Sequence, residues 1–210
     1  DIVYIGDRMI AGVSILFFLL AVVVWYFVGA TLFDKKTALI GCAALILTDM
    51  MWQFSLSGLP QMLMLFLFGC TAWLTLRAIE CRDLGASALG HVFACALVFG
   101  LLTLAHTAGF WIFLGWLIFA AFYFPRKILS ILVSAVGFLM VVGPWLARNH
   151  HICGTPLGLA GYEMMMPPGS AETDYMRTLV GPPLFSAAAT FKRFGTALTH
   201  QAGHIFAFLG

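Results

Sequence analysis

The residues best suited to bind a ligand or take part in a reaction follow an apolar run that ends at residue 147. They lie in GPWLARNHHICGTP, residues 143–156. An arginine at the end of a membrane span can bind a phosphate through two parallel hydrogen bonds, which are strong where the dielectric is low. Pro144 lacks a backbone N–H and disturbs the last helical turn. Arg148 and Asn149 are therefore candidate phosphate-binding residues. The plainer alternative, which the residues alone favour, is that Arg148 ends a helix at the headgroup layer.

Other polar residues leave two interpretations open. His106, between two apolar runs, either neutralises an anionic ligand or caps a helix end. Asp49 lies in an apolar run, where an acid either serves a function or reaches water at the interface. His91 is either a core histidine or a porphyrin ligand. His200 and His204 have the i,i+4 spacing of metal ligands but no third ligand at a telling distance, so no metal site is predicted.

Motifs of soluble enzymes do not occur in a supporting context, whether GxSxG, a phosphate-binding glycine loop, HExxH or GxGxxG. The five cysteines form no CxxC pair, which favours free thiols that pack as small hydrophobic side chains. A net charge of +2 with scattered lysines and arginines does not indicate a nucleic-acid partner.

Composition determines the class of protein. The chain is 62% hydrophobic and 10% charged, whereas soluble domains are about 45–50% apolar and about 25% charged. The apolar runs are long and do not alternate, which favours membrane helices over a barrel. The predicted fold is all-α, a polytopic transmembrane helical bundle that binds membrane lipid.

Six apolar runs predict six spans, which together form a transmembrane core over residues 1–147. Their approximate bounds are 9–28, 38–55, 60–79, 86–105, 108–124 and 128–147. Threading these spans places six basic residues on one side: Lys35, Lys36, Arg77, Arg82, Arg126 and Lys127. The positive-inside bias makes that side cytoplasmic. Arg8 and residues 148–210 then lie on the outer face, with Arg148 and Asn149.

Residues 148–210 are predicted to form an outer-face loop followed by an amphipathic juxtamembrane helix. The segment YEMMMPPGSAETDY has the composition of a loop, and 187–208 returns to a helical pattern. That helix either lies at the interface or precedes another span. Because the chain begins DIVYIGDRMI, without an initiator Met or a basic leader, we expect it to be an internal, processed or partial piece.

The order of the motifs resembles the membrane core of GT-C glycosyltransferases. The closest likeness is to bacterial relatives of the protein O-mannosyltransferases and of the lipid A aminoarabinose transferase. A short turn after a span, LFDKKTAL at 32–39, is similar to one in that branch. A "PWxxRNxxxxG" element is matched by Pro144-Trp145, Arg148-Asn149 and Gly154. The likeness covers roughly 8–158, and only the last motif is moderately specific.

The resemblance implies an inverting transferase of the bacterial inner membrane. It would move a sugar from a polyprenyl-phosphate donor to an acceptor on the periplasmic face. The general base would be a carboxylate in an outer loop before Asp1, in some members with a divalent metal, so no catalytic residue is assigned in this chain. Gln61 replaces a frequent Glu and His106 a frequent Arg or Lys, and both join the predicted substrate-binding residues.

Two alternatives belong to other classes. A non-catalytic scaffold subunit of a larger membrane complex would keep the helices and bind membrane protein partners. Neutral Gln61 and His106, a surface with 20 phenylalanines and the missing catalytic loop favour it. A transporter is less favoured, because the two halves show no inverted repeat and few intramembrane charges.

Overall fold

A computed structural model describes residues 5–158 and, beyond them, residues 191, 192, 194–196, 198, 199 and 203. Over this part of the chain the secondary structure is helical, with turns and short connections and no strand. The chain divides into two compact units, Asp1–Gly143 and Pro144–Gly210.

Seven helices follow one another along the continuous described segment. They are α1 (Ile5–Leu32), α2 (Lys35–Leu47), α3 (Asp49–Leu56), α4 (Gln61–Asp83), α5 (Leu89–Ala105), α6 (Ala108–Tyr123) and α7 (Lys127–Cys153). The predicted all-α class is confirmed over the described residues. The predicted juxtamembrane helix lies largely outside them, although residues 191, 192, 194–196, 198, 199 and 203 are helical.

Three helices are long and apolar enough to cross a membrane: Arg8–Leu32, Gln61–Asp83 and Lys127–Ile152. At most 28% of each span window is buried inside the protein, so most of its apolar surface is left for lipid. These helices make the chain a membrane protein. α5 and α6 are shorter apolar helices, about 24–26 Å long at 1.5 Å per residue, against a hydrocarbon core of about 30 Å.

The second predicted span is two helices rather than one. α2 and α3 meet at Thr48 with a bend of 59°. Thr48 has an extended backbone, and its Oγ1 donates to the Ala44 carbonyl at 2.8 Å. The Trp52 indole N–H donates to the Ile46 carbonyl at 2.7 Å, which satisfies an acceptor that the break exposes. If the pair is one broken span, the total is four.

The helices of the first unit alternate in direction when α2 and α3 are taken together as one bent segment. Ile10 of α1 lies against Gly58, just before α4, and Val24 lies against Gly69 in α4, so α1 and α4 run parallel. The short connection between α1 and α2 reverses the chain, and the Cys42 thiol donates to the Val22 carbonyl at 3.4 Å. The alternation brings the ends of successive helices to two opposite ends of the unit.

The core of the first unit is aromatic where α5, α6 and the start of α7 meet. Phe113 and Phe138 stack with ring centroids 4.1 Å apart, and Phe99 packs against Phe113 and Trp116. Gly100 allows close approach, since a Cβ there would lie 2.7 Å from the Val141 Cβ. Small residues at such contacts let membrane helices approach closely.

Both ends of the first unit have distinct charges. The α1–α2, α4–α5 and α6–α7 connections share one end, which carries Lys35, Lys36, Arg77, Arg82, Arg126 and Lys127. Arg8, in the first turns of α1, lies at the opposite end. We call these the cationic end and the neutral end, the second after its α3–α4 and α5–α6 connections, which carry no Lys, Arg, Asp or Glu. The grouping is the one from which the sequence predicted a cytoplasmic side.

Asp34 fixes the start of α2 at the cationic end. Its Oδ1 accepts from the backbone N–H groups of Lys36 at 2.7 Å and Thr37 at 2.9 Å, and its Oδ2 accepts from the Thr37 hydroxyl at 2.8 Å. These hydrogen bonds lower the pKa of Asp34 below its ordinary 3.8. The largest effect comes from the Thr37 N–H, followed by the Thr37 hydroxyl and the Lys36 N–H. The ionised side chain is therefore the form that caps the helix.

Candidate functional site

The motif that suggested a phosphate site lies in the last turns of α7, in the second unit. α7 continues through Pro144 to Cys153, so the predicted loop from 148 begins later than expected. Proline removes one N–H, and the helix resumes beyond it. Arg148 is exposed and Asn149 is buried, 8% exposed, so adjacent residues of one helix have different surroundings.

Two glycines shape the chain after α7. Gly154 has a φ of 70°, and its N–H donates to the His150 carbonyl at 3.0 Å, which ends the helix in the left-handed conformation that favours glycine. Gly158 has a φ of 55°, and a Cβ on it would lie 3.2 Å from the Asn149 Cγ. Asn149 is thus held beneath the turn, and Arg148, next to it, presents its guanidinium outward from an anchored helix end.

Gln61 is the first residue of α4, at the neutral end of the first unit. Its Oε1 is buried and has no hydrogen-bond partner. Ser14, 7% exposed, also has a buried hydroxyl oxygen without a partner. Buried polar atoms usually find partners, so each unmatched one invites an explanation. A ligand hydroxyl could supply the donor that Gln61 Oε1 lacks.

A groove at the neutral end is bordered by Ser14. Its volume is about 310 Å³, and it lies between α1 and the segment that joins α3 to α4. Its lining is mostly apolar: Met9, Ile10, Val13, Ser14, Phe17, Gly58, Leu59, Pro60 and Leu63. This combination suits an apolar chain with an occasional polar group. Ser14 was not among the predicted site residues, because a single serine in an apolar run forms no distinguishing pattern.

His106 forms the C-cap of α5 in a tight turn before α6. Its Nδ1 accepts the Ala108 N–H at 3.1 Å, and its carbonyl accepts the Gly109 N–H at 2.9 Å. This is the helix-end role that the sequence allowed. Because Nδ1 is an acceptor, the proton of the neutral ring is assigned to Nε2. The exposed imidazole therefore retains an N–H donor suited to an anion.

Gln61 and His106 share a level as well as an end. The Cys95 thiol meets α4 beside Thr71 and Thr75. Measured from these contacts at 1.5 Å per residue, Gln61 lies about 15–20 Å along α4. His106 lies a similar distance along α5, toward the same end, because α4 and α5 run antiparallel. The first unit therefore brings two of the four predicted residues to one end. Arg148 and Asn149 are neighbours in the second unit, and all four roles in substrate binding stay predictions.

The remaining candidates have ordinary local partners. Asp49 begins α3, is exposed, and accepts a hydrogen bond from the Gln53 amide at 2.6 Å. His91 Nδ1 lies 3.7 Å from the Cys81 sulfur. Within the described residues, no three His, Cys, Asp or Glu side chains are arranged to hold a metal ion. The divalent metal that the resemblance implies for some members would accompany the loop before Asp1, and His200 and His204 lie outside the described residues.

Comparison with known proteins finds no matching family model, no matching curated protein and no matching solved structure. The function is therefore inferred from the chain's own residues and their geometry.

Proposed function

We propose that this chain is the membrane core of a GT-C type glycosyltransferase that uses a polyprenyl-phosphate sugar donor on the outer face of a bacterial inner membrane. The observation that carries the proposal is the anchored end of α7. Arg148 is exposed there, beside buried Asn149 and the left-handed Gly154 and Gly158. A guanidinium on a fixed helix end loses less freedom when it binds a phosphate than one on a loose loop.

The neutral end of the first unit supports the proposal through hydrogen bonding. Gln61 Oε1 lacks a donor, and the His106 ring has an N–H donor. A sugar offers hydroxyl groups as donors, and a phosphate offers oxygen acceptors. In the proposed enzyme these two residues lie on the outer face, as the six-span topology requires.

The six-span topology also requires α5 and α6 to cross the membrane despite their lengths. They pack as a hairpin, and the Trp116 indole N–H of α6 donates to the Thr75 hydroxyl of α4 at 2.8 Å. We propose that the bilayer adjusts to this shorter pair, since local thinning costs only fractions of a kcal/mol per Å of mismatch.

The test is binding of undecaprenyl phosphate to the purified chain in neutral detergent. Arg148→Gln should weaken binding about 10- to 150-fold, because a charge-assisted hydrogen bond contributes about 1.5–3 kcal/mol. Arg148→Lys should restore part of the affinity, as a lysine keeps the charge without the bidentate geometry. His151→Gln is the matched control, on the same helix end and equally exposed, and should bind normally.

Equal binding by the wild-type chain and Arg148→Gln would refute the phosphate site. If neither binds and the chain purifies in mild detergent with stoichiometric protein partners, the scaffold alternative is supported. The neutral character of Gln61 and His106 is the observation that keeps this alternative, because ionic groups on the outer face would aid phosphate chemistry.

A further inference from the structure

A second cavity, with polar and charged residues in its lining, lies at the cationic end of the first unit, opposite Gln61 and His106. It has a volume of about 210 Å³ and forms where the α4–α5 connection meets the α6–α7 turn. The lining residues that matter for its chemistry are Arg82, Ser87, Leu89, Arg126 and Ser130. A water molecule takes up about 30 Å³ of liquid, so the cavity has room for a larger polar group such as a phosphate.

Two arginines line this cavity, Arg82 from the last turn of α4 and Arg126 from the α6–α7 turn. Arg82 lies over the Tyr123 ring, 4.1 Å from its centroid, and its Nη1 donates to the Asp83 carboxylate at 3.2 Å. A guanidinium has five N–H donors, so Arg82 keeps others for a ligand. The Tyr123 contact restrains its orientation. Arg126 is exposed in the turn before α7.

The helix ends at the cavity add to its positive potential. α5 begins at Leu89 after Ala88, which provides no side-chain cap, and α7 begins at Lys127. Neither helix has an acidic residue in its first turn. The first N–H groups of a helix and its dipole favour an anion. The nearby carboxylate, Asp83, is 59% exposed and bonded to Arg82, so it neutralises only part of this charge.

We propose that this cavity binds the phosphate group of an anionic ligand at the cytoplasmic surface of the membrane. Two sources share this chemistry, a phosphomonoester lipid headgroup and free phosphate. The site is separate from Gln61 and His106, which lie at the other end of the first unit. Planar guanidinium groups bind phosphate oxygens in pairs, and a headgroup at this level would place its acyl chains along the exposed apolar helices.

The experiment titrates the purified full chain, in neutral detergent micelles, with three probes. These are dioctanoyl phosphatidic acid, dioctanoyl phosphatidylcholine and inorganic phosphate. Micelles without charge remove the general attraction of basic residues to an anionic bilayer. The variants are Arg126→Gln, Arg82→Lys and the control Arg77→Gln. Arg77 shares the cationic end but pairs with Glu80 at 2.6 Å and does not line the cavity.

The expected result is saturable binding of phosphatidic acid, weakened at least about tenfold by Arg126→Gln, the effect of losing one hydrogen bond between charged groups. Arg77→Gln should leave binding unchanged. Binding of inorganic phosphate with the same dependence on Arg126 would support the site with free phosphate as its ligand. Equal affinity for phosphatidylcholine, or equal weakening by Arg77→Gln, would overturn the proposal. Arg82→Lys, which keeps the charge and the fold, should weaken binding less than Arg126→Gln.

Discussion

The turn that holds His106 depends on the absence of a side chain at Gly109. A Cβ at this position would lie 2.6 Å from the Thr103 nitrogen and 2.7 Å from the Leu102 carbonyl carbon. Both are backbone atoms of α5, so no rotamer change relieves the clash. Gly109→Ala should therefore force the start of α6 away from the end of α5 and displace His106.

Gly115 provides a matched control on the same helix, because a Cβ there would meet nothing within 4 Å. Gly115→Ala gains the helix propensity of alanine over glycine, about 1 kcal/mol in an exposed helix interior, and Gly109→Ala, at a buried position in the first turn of α6, gains less. The steric cost therefore dominates the difference between them. Overpacking costs about 1–3 kcal/mol, and rigid backbone neighbours place Gly109→Ala at the upper end. We expect Gly109→Ala to be about 3 kcal/mol less stable than Gly115→Ala.

The assay is unfolding of the purified variants in mixed micelles of rising denaturing-detergent content, followed by circular dichroism. Gly115→Ala should match or exceed the wild-type midpoint, and Gly109→Ala should unfold well below it. Variants with indistinguishable midpoints would refute the close approach of α5 and α6. They would also remove the structural reason for the position of His106.

The remaining predictions concern one buried hydrogen bond and one helix cap. Thr75→Val removes the acceptor of the Trp116 indole N–H and should lower the free energy of unfolding by about 1 kcal/mol, whereas Thr75→Ser should retain it; equal stability of the two would contradict this. The lowered pKa of Asp34 means that its contribution to stability is present above the unfolded-state pKa, 3.8, and is lost as the pH falls through the lower folded-state pKa. Asp34→Asn, an amide that still caps helices, should flatten this acidic part of the stability profile, and an unchanged profile would argue against the capping bonds.

The sequence predicted the helices well where composition alone decides them. Apolar runs produced α1, α4, α5 and α6 close to their expected bounds, because long stretches of apolar residues favour helices in a membrane protein. The break in the second span was missed, although Thr48-Asp49 is a helix-start signal within the run. Hydropathy averaged over a sequence window hides such a signal. It does not register the local hydrogen bonds that produce the bend.

The candidate site was predicted by residue but not by arrangement. The sequence selected Arg148 and Asn149 as a pair, yet burial of Asn149 beneath Gly158 depends on a contact nine residues away. For His106 the sequence allowed either a helix cap or an anion-binding role. The cap hydrogen bond to Nδ1 assigns the ring proton to Nε2, which is the donor that anion binding would use. Ser14 and the cavity beside Arg126 arise from packing between elements, which spacing along a single chain does not encode.

The break at Thr48 also bears on how the protein enters the membrane. α2 alone extends about 20 Å, too short for a hydrocarbon core of about 30 Å, and α3 leaves its axis at 59°. This segment is poorly suited to partition into lipid by itself. Its contacts with α1, at Gly29 and Ala38 and at Val22 and Cys42, make the two a hairpin. We therefore expect membrane insertion of α2 and α3 to depend on α1, which would remain beside the insertion machinery until α3 has been synthesised.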